Sequence, residues 1–435
     1  DGKVAVARQS TREPYLSVTL ALEGGRDNRS GTGAHVETLA GRGYQRVIAR
    51  EPGGVFLGLG VRVLEELDGV SILWPNGIRQ AVLPAEIDLA APCRRAPIVQ
   101  RVGLVESCPF LYVFDGERWR FLSDVVAIAP LDEWLPPGAT SHRDPEEHVR
   151  IPGDRLRPAS DGRLRLAFTE ELREIAYLDR AVLIRVIHPE GTAVFTDEST
   201  RQGGIEPLRV FVVREKDLEI PPGVVSSRKP GAAGDLVAAI DRRYFKPYVE
   251  SRPQWSGWVE PFSLEIELPA EWLWGEPPRA PAIFLTGRVA WHNSVVAYSL
   301  SQHGRTWDPH RLEYIDADGT AREALANVGY PSGMDRTIVV PLENLGSARK
   351  LRLSATSRLF WDRIALARDA SFVELPERGD RNVRAPGSSG EISIETDVLP
   401  LARAELAWRG FSEIVGDFDA HEHVYDFDKV SVWRD

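Results

Sequence analysis

Apolar and polar residues alternate along this chain with a period of two, the spacing of a half-buried β-strand rather than of a helix. In "YLSVTLAL" the residues Leu16, Val18, Leu20 and Leu22 fall on one face, and in "VSILW" Val70, Ile72 and Trp74 do the same before the turn "PNG". "FLYVFDGERWRFL" predicts a hairpin: Phe110 to Phe114, a turn through Asp115 and Gly116, and a return over Trp119 to Leu122. "RLRLAF", "FSLEIEL" and "KLRLSA" repeat the pattern further along. The best helical candidates are short, "GDLVAAIDRRY" at 234–244 and "EEHV" at 146–149, and 31 prolines and 37 glycines leave little room for long helices. The expected class is all-β, built of sandwiches.

Breaks in the pattern divide the chain. A β domain is expected over 12–90, a β-sandwich module over 109–215, a loop with a short helix over 216–254, a second sandwich over 255–370, and a C-terminal extension over 371–435. Long polar loops at 135–154 and 220–234 are of a length that is usually functional. An echo links "YLDRAVLI" at 177–184 with "FWDRIALA" at 360–367. It suggests that each segment closes one jelly-roll-like module, with the Asp fixing backbone at the sheet rim.

At 435 residues the chain is too long for one ordinary core. A net charge of -11, with arginines interleaved among acids, argues against a nucleic-acid surface. No apolar run approaches the roughly 18 residues that cross a bilayer. The chain opens at Asp1 without an initiator Met and reads as a mature or excised piece of a longer protein. Cys93 and Cys108 are the two cysteines. In an oxidising compartment they would close a short loop worth about 3 kcal/mol on a chain-entropy estimate; in the cytosol they would be ordinary thiols.

The stretch "DNRSGTGAHV" at 27–36 stands apart. A phosphate loop requires a glycine-rich turn into a helix, and here the residues continue as strand, with no GK[ST]. The segment is similar to the signature of the ASPIC/UnbV domain, and "GGVFLGLG" (53–60) and "VSILWPNG" (70–77) follow in that family's order. Ser30 stands where the family often has Asp. "CPFLYVFDGERWRFLSDV", "SLSQHG", "VGYPSGMDRTIVVPL" and "LFWDRIALA" resemble the extensions that follow this domain in bacterial proteins. The resemblance implies an exported all-β protein, cell-surface, periplasmic or extracellular, with propeller or tetratricopeptide repeats upstream. Residues 1–11 would then be the end of a propeller repeat. The family supplies no catalytic residues.

The residues of this stretch support two roles. Gly31 and Gly33 permit a tight path into the strand while Asp27 and Asn28 satisfy turn amides; alternatively Asp27 and Asn28 ligate a cation such as calcium, for which two side chains are few. In "DFDAHEHVYDFD", His421 and His423 share a face if extended and would suit a divalent metal, or mark a charged edge strand. Six of the 12 tryptophans lie between 255 and 307. Trp255, Trp258, Trp272 and Trp274 would form a glycan platform if exposed, or fill a core. Trp272 and Trp274 alternate in "EWLW" and would point one way in a strand. No nucleophile elbow, H-E-x-x-H or C-x-x-C occurs, and the acids in "DEWL" (132–135) and "TEELRE" (169–174) are not distinguished from others.

The expected function is non-enzymatic binding or assembly with other subunits or with copies of itself through β edges, with a glycan as a further ligand and no cofactor beyond calcium. Two rivals stand beside it: a polysaccharide-active enzyme using the tryptophans and a carboxyl pair, and a calcium-stabilised adhesion module.

Overall fold

A computed structural model describes residues 15–24, 28–52, 54–75, 79–90, 95–100, 109–125, 147–169, 178–200, 208–229, 231, 233–250, 255, 257–275, 278–290, 294–331, 335–375, 392, 394–409, 411–415 and 424–431. Strands dominate these residues. Their two α-helices are short, Ala270–Trp274 and Ser294–Gln302. The all-β class is as the alternation implies. Among the described residues no helix is long and apolar enough to cross a membrane. The chain forms two units, one of 1–107 with 417–421 and 431–435, the other of 108–416 with 422–430.

In the first unit, strand Ser17–Glu23 pairs antiparallel with Val55–Gly58 and parallel with Arg95–Val99. A second sheet runs Gly43–Ile48, His35–Ala40, Gly69–Leu73, Arg79–Val82, antiparallel throughout. The predicted parities hold: Val18, Leu20, Leu22, Val70, Ile72 and Trp74 are all buried in one core. The Trp74 indole cannot leave its N–H unpaired there, and it donates to Gln80 Oε1 at 3.1 Å, while Gln80 donates to the carbonyl of Val99.

The second unit is organised by the 20-residue strand Ala348–Ala367. Its first half lies between Trp258–Glu267 and Arg311–Asp316, and its second half pairs with Ala282–Ala290, which in turn pairs with Arg336–Pro341. Leu351 and Leu353 from the first half and Leu359, Ile364 and Leu366 from the second enter one core. Smaller sheets join 166–169 with Phe110–Phe114 and Trp119–Asp124, and join Thr192–Thr196 with Leu208–Arg214 and Ser371–Leu375. The hairpin forms as predicted: Asp115 Oδ1 accepts the amides of Glu117 and Arg118 across the turn.

Strand pairing crosses the expected module limits at 215 and 370. Leu208–Arg214 pairs with Ser371–Leu375, Ser199–Thr200 with Tyr330–Pro331, and Leu183–Ile187 with Glu395–Leu399. Residues 234–244 form a single 3-10 turn, Gly234–Val237, and then a loop bridging to the long strand at Ala238 and Phe245. "EWLW" is helical rather than extended, so the alternation that would place Trp272 and Trp274 on one face does not apply.

Candidate functional site

Asn28 is a turn residue. Its Oδ1 accepts the amide of Thr32 and the hydroxyl of Ser30, and its side-chain amide donates to the Thr32 carbonyl. Gly31 takes φ +61°, and a Cβ there would come within 2.6 Å of Leu22 Cβ. Turn and glycine together seat the loop against the core. Among the described residues no group of three or more His, Cys, Asp or Glu side chains is placed to hold a metal. Asp27, His421, His423, Cys93 and Cys108 lie outside the described residues, as do 132–135 and nearly all of 169–174.

Trp255, Trp258 and Trp272 face inward. Trp255 and Trp258 are 5% and 1% exposed and meet edge to face at 5.4 Å over Val296 and Leu300 of the second helix. Their indole N–H groups donate to Ser299 Oγ and the Thr306 carbonyl. Trp272 is buried with its N–H towards Glu219, and half-buried Trp307 donates to Ser357 Oγ. These three buried residues are core, and the expected platform at Trp255, Trp258 and Trp272 offers no open indole face. Apolar area, which a short-range pattern cannot assign to inside or outside, went inside. Trp274 is in the short helix and Trp291 is outside the described residues.

A polar centre not anticipated as a site forms where the long strand bulges. Gly287 pairs with Trp361 and Thr286 with Arg363, leaving Asp362 as the extra residue. The backbones approach so closely that a Cβ on Gly287 would lie 2.0 Å from the Phe360 carbonyl oxygen. Bulges of this kind re-aim a side chain. Asp362, fully buried, turns its Oδ1 to the amides of Asp241 and Arg242, while its Oδ2 has no hydrogen-bond partner. Burial raises its carboxyl above the ordinary range, against those two amides, with the charges of Asp335 and Asp241 adding to the rise. Arg242 and Asp335 both sit at positive φ, +64° and +49°, and pair with each other at 3.5 Å. Non-glycine residues hold such backbone only when their surroundings impose it. Tyr244 donates to Asp335 at 2.6 Å, and the Arg288 guanidinium lies 4.4 Å over the Tyr244 ring. The echo "FWDR" was the one sequence signal that pointed here, through an Asp fixing backbone.

A second polar network gathers around Arg336. Arg336, 3% exposed, pairs with Glu147 and donates to the Asp124 carbonyl. Half-buried Glu198 accepts the amides of Arg150 at 2.7 Å and Thr337 at 3.0 Å. Burial pushes the carboxyls of Asp124 and Glu198 up, with the Arg336 charge opposing. The network braces the start of strand Arg336–Pro341.

Two features face solvent. On the first unit's four-stranded sheet, Tyr44 is 60% exposed and donates to Glu37, which also holds Arg79 at 2.6 Å. Burial raises the Glu37 carboxyl, but the hydrogen bonds from Arg79 and Tyr44 and the two arginine charges outweigh it, and the net shift is downward. In the second unit all eight residues from Leu401 to Trp408 are exposed, Leu401 by 79%, Leu406 fully and Trp408 by 76%. Arg403 pairs with Glu405, the i,i+2 spacing of neighbours on one side of an extended chain. On the same alternation Ala402, Ala404, Leu406 and Trp408 share the opposite parity.

No family model matches the chain, and no curated protein matches it. Among solved structures, similarity was found to SGBP-B of the Bacteroides ovatus mixed-linkage glucan utilization locus, in complex with a mixed-linkage heptasaccharide. That alignment is 8% identical, covers 83% of this chain and 97% of the other, and has a TM-score of 0.13, too low to carry an argument about fold or ligand.

Proposed function

We propose that the chain is a non-enzymatic binding and assembly protein, exported and working as one part of a larger cell-surface or extracellular structure, with an ASPIC/UnbV-like domain over 12–90. One observation carries the assembly reading: the strap Leu401–Trp408, with Leu401, Leu406 and Trp408 turned to water. Contiguous exposed apolar side chains are rare on monomeric proteins and mark surfaces that a partner covers. The alternation in the strap suits addition to a sheet edge, where backbone hydrogen bonds supply affinity and alternate side chains supply specificity. The family and the export rest on the three ordered segments within 12–83.

Sedimentation velocity of the chain over a rising concentration series tests the reading, alone and with the double variant Leu406→Ser, Trp408→Ser. The expected result is self-association, or capture of a partner subunit, that the double variant loses. A chain that stays monomeric and ligand-free at the highest concentration defeats the assembly reading.

A glycan is the second ligand class, favoured by the sheet face around Tyr44. An exposed ring flanked by Glu37, Arg46 and Arg79 offers flat apolar area beside groups that hydrogen-bond hydroxyls. Titration with soluble neutral glycans, for the native chain and for Tyr44→Ala, tests it; no saturable binding by the native chain removes it.

A further inference from the structure

Phe360 lies opposite Arg288 across the bulged strand pair, and it is 1% exposed. Three cations surround its ring. The Lys246 ammonium is 5.3 Å from the centroid, the Arg288 guanidinium 5.3 Å and the Arg358 guanidinium 5.5 Å. An aromatic face attracts each cation through its quadrupole, but it carries no net charge to cancel three like charges held this close.

The nearby acids are committed elsewhere. Glu250 pairs with Arg358 at 3.0 Å, and Asp335 is taken by Tyr244 and Arg242. Lys246 has no ion-pair partner among the described residues. Burial, joined by the charges of Arg358, Lys229 and Arg288 and opposed by Glu250, holds its ammonium below the ordinary lysine value. The chain as a whole carries -11, so a half-buried gathering of cations runs against its composition. Lys229 is exposed and Arg358 retains 21% of its side-chain surface, which leaves the cluster a route to solvent. Arg288, at 4% exposure, lies at the closed end.

We propose that Lys246 and Arg358, backed by Arg288 across the Phe360 ring, form an anion-binding site for the carboxylate or sulfate group of an acidic ligand. The lysine acts as a point charge and the arginine supplies a planar fork that matches an oxyanion. The site is apart from the Leu401–Trp408 strap and does not depend on it.

Isothermal titration of the whole chain with trigalacturonate, and separately with a pentaglutamate peptide, tests the proposal at low salt and at about 0.15 M salt. Saturable binding is expected for at least one probe, weakening as salt rises. Lys246→Gln should lower affinity about tenfold, the loss of one charge-assisted hydrogen bond. Lys246→Arg should retain most of it, and Lys216→Gln, a change at an exposed lysine, should leave it unaltered. Glu250→Gln releases Arg358 from its carboxylate and should tighten binding severalfold; this variant decides the matter if Lys246→Gln fails to fold. Binding of the saccharide alone makes the ligand an acidic glycan, and binding of the peptide alone an acidic protein segment; either upholds the site. The proposal is overturned if neither probe saturates, or if affinity is the same in the native chain, Lys246→Gln and Glu250→Gln.

Discussion

The segment from Trp255 to Trp307 and the segment from Leu401 to Trp408 invert what their compositions suggest. The first holds half of the molecule's tryptophans. Where it is described, those indoles pack inward, with N–H groups given to Ser299, Thr306, Glu219 and Ser357. The second holds one tryptophan among alanines and charged residues, and every residue in it is exposed. Aromatic density therefore marks how much apolar area a segment has to dispose of. Which side of the surface receives that area depends on whether other strands arrive to cover it. The helix Ser294–Gln302 covers Trp255 and Trp258, the core built on Ala348–Ala367 takes in Trp272, and no described element buries the second segment.

The sharpest break in this comparison is expected from truncation in the two segments. Trp258→Ala removes a side chain that is 1% exposed and should cost about 3–5 kcal/mol of stability. Denaturant unfolding monitored by circular dichroism measures it; a loss below about 1 kcal/mol would mean that the segment is not core.

Next in size is the pH response of the same interior. His310 is stacked between Tyr330 and Trp361 at 5.9 and 5.6 Å, and burial, opposed by its hydrogen bond to the Gly329 carbonyl, holds it down to about 4. Because the folded value lies below the unfolded one, the unfolded chain binds the proton first as pH falls. His310 therefore contributes no penalty above about pH 6.5, and on acidification from there to about pH 4 it withdraws about 3 kcal/mol. Asp124, Glu198 and Asp362 are shifted up and act in the opposite sense, so the measurement is a difference. His310→Gln should flatten the loss of stability between pH 6.5 and 4 relative to the native chain, and parallel profiles would refute the assignment.

Asp362→Ala should cost about 2 kcal/mol, since the amides of Asp241 and Arg242 lose their acceptor in a buried setting. Hydrogen exchange at those two amides reads the effect directly; unchanged protection would show that the carboxylate is not what holds the loop. The smallest effect is expected in the strap. Leu406→Ser should alter stability by less than about 0.5 kcal/mol, measured in the same unfolding experiment as Trp258→Ala. A substantially larger loss would place Leu406 in a core and collapse the contrast between the two segments.

Much of the architecture was legible in the residues. The parity of "YLSVTLAL", "VSILW", "FSLEIEL" and "KLRLSA" identified buried faces correctly because side chains in a strand alternate whatever the strand pairs with. The Asp115–Gly116 turn was legible for a similar reason: its hydrogen bonds are closed within a few residues. The role of Asn28 was legible as one of two alternatives, and the geometry favours the turn. The alternation in "EWLW" does not decide its conformation, because a four-residue apolar–polar pattern fits a strand and a single helical turn equally well. The pairing of Leu208–Arg214 with Ser371–Leu375, which joins residues some 165 apart across 215 and 370, is a relation that no local pattern encodes.

The sequence by itself determined the class of fold, the inward face of the strands in "YLSVTLAL", "VSILW", "FSLEIEL" and "KLRLSA", and the Asp115–Gly116 turn, because those depend on interactions between residues near each other in the chain. Only the tertiary structure decided that Trp255, Trp258 and Trp272 are interior, that Asp362 is the bulged residue under the Asp241–Arg242 loop, and that Lys246, Arg288 and Arg358 meet around one ring. Each of those outcomes depends on which distant strands arrive side by side, and that choice is made by the total apolar area buried rather than by any single segment.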